Sequence, residues 1–174
     1  MKSRIVVILS VVLTLALSAA AQAALPKPTD TLIVPGKSLG GVTLGSSPTK
    51  VMKAWGNVSG CESLCFYPGK NTGEEGGAEL QTSDEGTTYK VSRVFITVAQ
   101  SPKPNFNTPL TRFQTAQGIG LGSTFKELQK AYHSLRKETV GYYTLSGPSG
   151  ALTTFVVSPE GHIVSIQIAS HKGG

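Results

Sequence analysis

Two stretches of the chain share one pattern of apolar, glycine and polar positions. Residues 41–55 read GVTLGSSPTKVMKAW, and residues 118–132 read GIGLGSTFKELQKAY. Six of the fifteen paired positions are identical, and four more exchange similar residues. Similarity of this kind within one chain indicates that a structural unit occurs twice.

Polar residues mark the start of a helix in each stretch. Ser47 suits the N-cap position, and Pro48 fits the first helical position, where its missing N–H needs no partner. In the second stretch Thr124 takes the cap position and Glu127 follows three residues later, which is the spacing of a capping box. We therefore expect both helices to begin at matched positions.

Each predicted helix carries one apolar stripe. The stripe residues are Val51, Met52 and Trp55 in the first helix and Leu128, Ala131, Tyr132 and Leu135 in the second. Their spacing of three and four residues places them on one helix face, and large residues on such a stripe usually belong to the core. Gly56 predicts the end of the first helix through an αL cap, and the second helix is expected to run to about Arg136.

After each helix the apolar period changes from 3.6 to 2, which predicts strands. The expected strands are 64–67, 78–82 and 91–99 after the first helix, and 141–144, 151–157 and 161–169 after the second. Their short connections make neighbouring strands antiparallel. The predicted fold class is α+β, a tandem repeat of a helix followed by three antiparallel strands, with the helices on one face of the sheet.

The N-terminal residues predict export. Lys2 and Arg4 precede an apolar run, and Ala21-Gln22-Ala23 offers a small-x-small cleavage site, as in a secretory signal peptide. An uncleaved anchor is the alternative, because the run nearly reaches spanning length. The cleavage site favours removal, a secreted or periplasmic location and no membrane span in the mature chain. The predicted organisation is signal peptide 1–23, extended lead-in 24–35, first repeat 36–99, linker 100–112, second repeat 113–170 and tail 171–174.

Strand alternation predicts a sheet face that the helices do not cover, if the apolar residues of each last strand face the helices. The residues assigned to this face are Arg93, Phe95, Thr97, Ser165, Gln167, Tyr67 and Tyr142. The two tyrosines are included because the aromatic position shared by both units, Phe66 and Tyr143, is the better core candidate. Aromatic residues with an arginine are typical of a protein interaction surface. A solvated face, or one covered by the other half of the molecule, is the alternative.

The net charge of the chain and its distribution limit the class of binding partner. The chain has a net charge of +6, and loss of Lys2 and Arg4 leaves 14 basic and 10 acidic residues, a net +4. Five acidic residues fall in the acidic segment, residues 74–85, so the remaining surface is more positive. A protein or an anionic cell-envelope component is consistent with this distribution. Nucleic acid is not expected, because no run of Lys and Arg is interleaved with aromatic residues.

Cys61 and Cys65 are the two cysteines of the chain, and in a secreted protein a local disulfide is the favoured interpretation. A thiol or copper site with redox function is an alternative, although no histidine lies close in sequence. A hydrolase is a second alternative, although neither G-x-S-x-G nor H-E-x-x-H occurs. We therefore predict no catalytic residue, metal ligand or cofactor, and expect a binding protein rather than an enzyme.

The lead G-[V/I]-x-L-G-x-[S/T] with its capped helix, in residues 41–56 and 118–133, resembles the repeat unit of the SmpA/OmlA group and of the β-lactamase-inhibitory-protein-like fold. It is also similar to uncharacterised secreted bacterial proteins with a cysteine pair after the first helix. The resemblance implies small antiparallel sheets with helices on one side, in tandem, and binding of other proteins outside the cytoplasm. The chain lacks the lipid-attachment cysteine of SmpA/OmlA lipoproteins, and the inhibitor's contact residues cannot be placed on it, so neither role is carried over.

Overall fold

The computed structural model describes residues 25–26, 28–69, 73–82, 88–99 and 103–170. The expected signal peptide and tail lie outside these residues. So do residues 70–72, residues 83–87 in the acidic segment, and residues 100–102 of the expected linker.

Within the described residues the chain forms two short α-helices and eleven β-strands. The helices are α1 (Pro48–Trp55) and α2 (Phe125–Ala131). The strands are β1 (Leu32–Val34), β2 (Ser38–Leu39), β3 (Val42–Thr43), β4 (Leu64–Pro68), β5 (Glu75–Thr82), β6 (Tyr89–Thr97), β7 (Gln114–Thr115), β8 (Arg136–Thr139), β9 (Tyr142–Ser146), β10 (Leu152–Val157) and β11 (Ile163–Ala169). Single 3₁₀ turns span Pro109–Arg112 and Pro148–Gly150.

The strands form two sheets. The large sheet has seven antiparallel strands in the order β4-β5-β6-β11-β10-β9-β8. The small sheet has the order β3-β2-β1-β7, with β1 and β7 parallel. Because β6 pairs with β11, strands from both halves of the chain belong to one continuous sheet.

The predicted fold class is wrong. The protein is mostly β, with two sheets and two short helices in the described residues, and it is not a repeat of a helix plus three strands. The second helix was expected to run to about Arg136 but ends at Ala131, and Arg136–Thr139 form the unpredicted strand β8, so four strands follow α2. The small sheet was missed because its strands are only two or three residues long. Strands of that length are too short to show an alternating pattern.

The two matched sequence stretches nevertheless dock onto the large sheet through the same pairs of backbone hydrogen bonds. The four bonds are Gly45 N to Val91 O at 2.8 Å, Val91 N to Ser46 O at 2.9 Å, Gly122 N to Ile163 O at 2.9 Å and Ile163 N to Ser123 O at 2.9 Å. Gly45 and Gly122 have φ values of 79° and 87°, a conformation that favours glycine. These bonds give a local reason for the sequence match.

The helix starts agree with the sequence, whereas the helix ends do not. In α2 the capping box is confirmed: Thr124 N donates to Glu127 Oε2 at 2.7 Å, and Glu127 N donates to Thr124 Oγ1 at 3.2 Å. Ser47 is the N-cap residue of α1, but its side chain makes no capping bond. Gly56 follows α1 at φ 102° and ψ 161°, outside the αL region, and α2 ends at Ala131.

One hydrophobic core lies between the large sheet and a layer made of both helices and the small sheet. At its centre Trp55 donates from Nε1 to Gly40 O at 2.8 Å and meets Tyr67 and Phe113 edge-on, with ring centroids 5.6 and 6.1 Å away. Tyr67 is only 2% exposed and donates to Gly56 O at 2.7 Å. Its burial raises the pKa of Tyr67 to about 12.

The assignment of Tyr67 to the helix-free face is therefore wrong. Because neighbouring side chains of a strand point to opposite faces, burial of Tyr67 sends Phe66 to the other side, where it is 36% exposed. The expectation that Phe66 belongs to the core is also wrong. Its predicted counterpart Tyr143 is half-buried on the helix side, with its ring 4.3 Å from that of Phe125.

Candidate functional site

The helix-free face consists of the large-sheet side chains that alternate with the core residues, and strand register arranges them in three rows. The central row is Phe66, Gly77, Phe95, Gln167, Thr154, Thr144 and Arg136. One flanking row is Leu64, Glu79, Arg93, Ala169, Leu152 and Ser146. The other is Pro68, Glu75, Thr97, Ser165, Val156, Tyr142 and Thr139. All the predicted face residues except Tyr67 thus lie on this face, and their role in binding stays a prediction.

Phe95 lies over the backbone of the neighbouring strand at Gly77. A Cβ atom at residue 77 would come within 2.6 Å of the Phe95 ring, so the missing side chain makes the space that the ring occupies. Phe66 is the next residue in the same row, on the edge strand β4. The row therefore presents two aromatic rings, one half-buried and one exposed.

Arg93 is held in place beside this aromatic pair. Its guanidinium forms an ion pair with Glu79, donates from Nη1 to Gln167 Oε1 at 3.4 Å, and lies 5.6 Å from the ring centroid of Phe95. The Arg93 and Glu79 side chains are 39% and 38% exposed, so both charges remain accessible. Since contacts on three sides orient the guanidinium, less side-chain entropy would be lost when a partner binds it.

Exposed apolar residues also occur at the opposite end of the face. Tyr142 on β9 is 45% exposed, and Val140 in the turn between β8 and β9 is 83% exposed. Gly141 in the same turn has φ 79°, a conformation that favours glycine, and has no side chain to cover Val140 or Tyr142. The exposed aromatic and aliphatic groups therefore stand at both ends of the sheet, with the Arg93 cluster between them.

The dimensions of this face suit a macromolecular partner. Seven strands about 4.8 Å apart give a width of about 29 Å, and three rows of side chains give an area of roughly 500 Å². A protein interface of ordinary size covers about 800 Å² on each partner. The face is therefore somewhat smaller than one partner's share of such an interface, and exposed rim residues such as Val140 extend it.

The sequence interpretation missed Phe66, Gly77 and Glu79 as members of this face. Alternation from a buried Cys65 would have identified Phe66, but burial of Cys65 was not foreseen. Gly77 and Glu79 join the face only through pairing of β5 with β6, which residue spacing within one strand does not reveal. Gly77 precedes the predicted strand 78–82, and Glu79 lies within that strand but was not assigned to the helix-free face.

The sulfur atoms of Cys61 and Cys65 lie at disulfide distance, with the Cα atoms 4.2 Å apart. Cys65 is fully buried on β4, and Cys61 belongs to the turn before it. The bond closes a small ring next to an edge strand of the large sheet. Across the part of the chain that the structure describes, no group of three His, Cys, Asp or Glu residues is placed to hold a metal ion.

The hydrolase alternative requires a histidine beside a nucleophilic side chain. His133 is exposed, and His162 lies with Nδ1 3.0 Å from Gly122 O and its ring 5.7 Å from that of Phe106. Among the described residues neither histidine is hydrogen-bonded to a serine, threonine or cysteine side chain. His171 lies outside the described residues.

Comparisons with known proteins returned no match to a family model, to a curated protein or to a solved structure. The resemblance to the SmpA/OmlA group and to the β-lactamase-inhibitory-protein-like fold stays a prediction from the residues that suggested it. Neither described helix has the length and hydrophobicity required to cross a bilayer.

Proposed function

We propose that this protein is a secreted or periplasmic, non-enzymatic binding protein whose helix-free face binds another protein. The observation that carries the proposal is the Arg93 cluster, in which an oriented guanidinium and the Phe95 ring lie between exposed aromatic residues. Arginine and aromatic side chains are the groups that most often dominate the energetics of protein interfaces.

The charge of this face favours a protein over an anionic envelope polymer. Glu79 lies in the same row as Arg93, Glu75 lies in the other flanking row, and Glu138 accepts a hydrogen bond from Thr144, so these three carboxylates outnumber Arg93 and Arg136 on this face. An anionic polymer would meet repulsion from these glutamates. A protein surface can instead pair polar groups with this mixture and cover Phe66 and Tyr142 with apolar side chains.

Photo-crosslinking in the cell that makes the protein tests this proposal. A photoreactive phenylalanine analogue is placed at Phe66 or Tyr142, which are 36% and 45% exposed. Leu32 on β1 is the matched control, because it is 43% exposed and belongs to the small sheet. We expect an adduct of one defined mass from positions 66 and 142 and none from position 32. Adducts that are the same from all three positions, or absent from 66 and 142, refute the proposal.

A second set of variants links the adduct to the Arg93 cluster. Arg93→Ala and Phe95→Ala are each combined with the crosslinker at position 142, and each should reduce the adduct at least about tenfold if the side chain is an interface hot spot. Far-ultraviolet circular dichroism and the thermal midpoint establish that each variant is folded. If both variants are folded and the yield of adduct is unchanged in each, the helix-free face is not the binding site.

A further inference from the structure

A groove on the helix side of the large sheet runs between α2 and strands β8 and β9. We call it the α2 groove; its volume is about 420 Å³, and the residues that matter here are Phe125, Tyr132, Tyr143, Leu135, His133 and Lys137. This volume falls in the range of small-molecule sites. The groove opens on the opposite side of the sheet from the helix-free face.

Aromatic rings line the groove, and packing holds them in place. Phe125 lies against Tyr143 with ring centroids 4.3 Å apart. Tyr132 lies 6.1 Å from the buried Phe155 ring and donates from its hydroxyl to Gln117 Oε1 at 2.8 Å. Because these rings are already ordered, an apolar ligand loses little free energy to side-chain ordering.

The polar groups of the α2 groove are cationic or neutral. Lys137 pairs in register with Tyr143, so strand geometry directs it to the helix side together with the aromatic rings. His133 follows the end of α2 on the same rim, and none of the described residues that line the groove is a carboxylate. Glu138, the adjacent acid, instead accepts a hydrogen bond from Thr144 Oγ1 at 2.6 Å. Thr144 pairs with Thr154 of the helix-free face.

We propose that the α2 groove binds a small amphipathic carboxylate, with the apolar body on the aromatic rings and the carboxylate beside Lys137 and His133. The aromatic rings select a ring or short alkyl chain, and the positive charge of Lys137 selects an anion over a cation or a neutral group. An aryl-alkyl monocarboxylate is the simplest ligand of this class.

The probe is 4-phenylbutyrate, and its neutral counterpart 4-phenylbutanol has the same apolar body. Binding is followed by amide chemical shifts in two-dimensional NMR of the full mature chain. We expect shifts in α2, β8 and β9, and affinity for the carboxylate about three- to fivefold above that for the alcohol, as for one accessible ion pair. Added salt should reduce this ratio.

Lys137→Gln should bring the carboxylate-to-alcohol ratio close to one while the alcohol binds as before. Lys90→Gln is the matched control, since Lys90 is an exposed lysine on β6, four strands away in the large sheet, and it should leave the ratio unchanged. Equal affinities for acid and alcohol, shifts confined to other parts of the protein, or no shifts at millimolar probe refute the proposal. So does a ratio that falls equally in both variants.

Discussion

Gly147→Ala is expected to lower the free energy of unfolding by about 2–4 kcal/mol, because an added methyl group has no space. Gly147 follows β9 and faces Gly36 in the turn between β1 and β2. A Cβ atom at residue 147 would lie 2.3 Å from the Cα atom of Gly36. Carbon atoms in contact prefer about 3.5–4.0 Å, so these two connections would have to separate.

The magnitude follows from two costs and one gain. Overpacking of this kind costs about 1–3 kcal/mol. Separation also breaks the buried hydrogen bond from Gly36 N to Thr153 Oγ1, now 2.7 Å, and an unpartnered buried donor costs about 1–3 kcal/mol. Gly147 has φ −105°, which alanine can adopt, so the lower entropy of the unfolded alanine chain offsets about 0.4–1 kcal/mol.

Urea unfolding measures this change, with fluorescence of Trp55, the one tryptophan of the chain and buried in the core, as the signal. Thr153→Val removes the hydrogen-bond acceptor alone and supplies the control. Because both substitutions act on the same contact, the double variant should lose less than the sum of the single losses, by at least about 0.5 kcal/mol. A Gly147→Ala variant within about 0.5 kcal/mol of the parent protein, or strict additivity, refutes the reasoning.

Three further predictions concern the helix cap, the cysteine pair and the buried tyrosine. Thr124→Ala should lower the free energy of unfolding by about 1 kcal/mol in urea titrations. Backbone and side-chain hydrogen bonds from Thr124 lower the pKa of Glu127, so this carboxylate stabilises the fold above its unfolded pKa and the contribution disappears as pH falls through the folded pKa. Glu127→Gln should accordingly flatten acid unfolding, and an unchanged acid curve contradicts the cap. Replacing Cys61 and Cys65 by serine should cost about 2 kcal/mol, the chain-entropy value for a ring of about five residues, in the same titrations. Tyr67 should ionise near pH 12 in an ultraviolet titration, with stability present below pH 10 and lost as pH rises through 12; ionisation of every tyrosine near pH 10 would contradict its burial.

The helix-free face and the α2 groove lie on opposite sides of one sheet, so the two proposals can be tested independently. Arg93→Ala should weaken the protein partner and leave phenylbutyrate affinity unchanged. Lys137→Gln should have the reverse effect. If either substitution weakens both ligands, the protein must communicate across the sheet or the two sites are not separate.

A one-residue error in the alignment of β4 with β9 explains why Phe66 and Tyr67 were assigned to the wrong sides of the sheet. Matching the two halves by sequence pairs Phe66 with Tyr143, but Tyr143 lies on the helix side and Phe66 on the opposite side. A shift of one residue in the alignment of a strand moves each of its side chains to the opposite face of the sheet. The prediction for β6 and β11 was correct because both are long and alternate over residues 93–97 and 164–169, whereas β4 and β9 have five residues each.

Sequence alone determined the features that depend on near neighbours along the chain. The start of each helix and the capping box of α2 follow from bonds between residues three apart, and the alternation of β6 and β11 follows from the period of an extended strand. The expected cysteine pairing likewise spans a single turn.

Tertiary structure alone decided the features that depend on residues distant in the chain. It paired β6 with β11, assembled a small sheet from strands of two or three residues, and ended α2 early so that Arg136 begins β8. It also buried Tyr67 beneath Trp55 and brought Glu79 beside Arg93. The physical reason is that strand register and burial are set by hydrogen bonds and packing between separate segments, which no local pattern specifies.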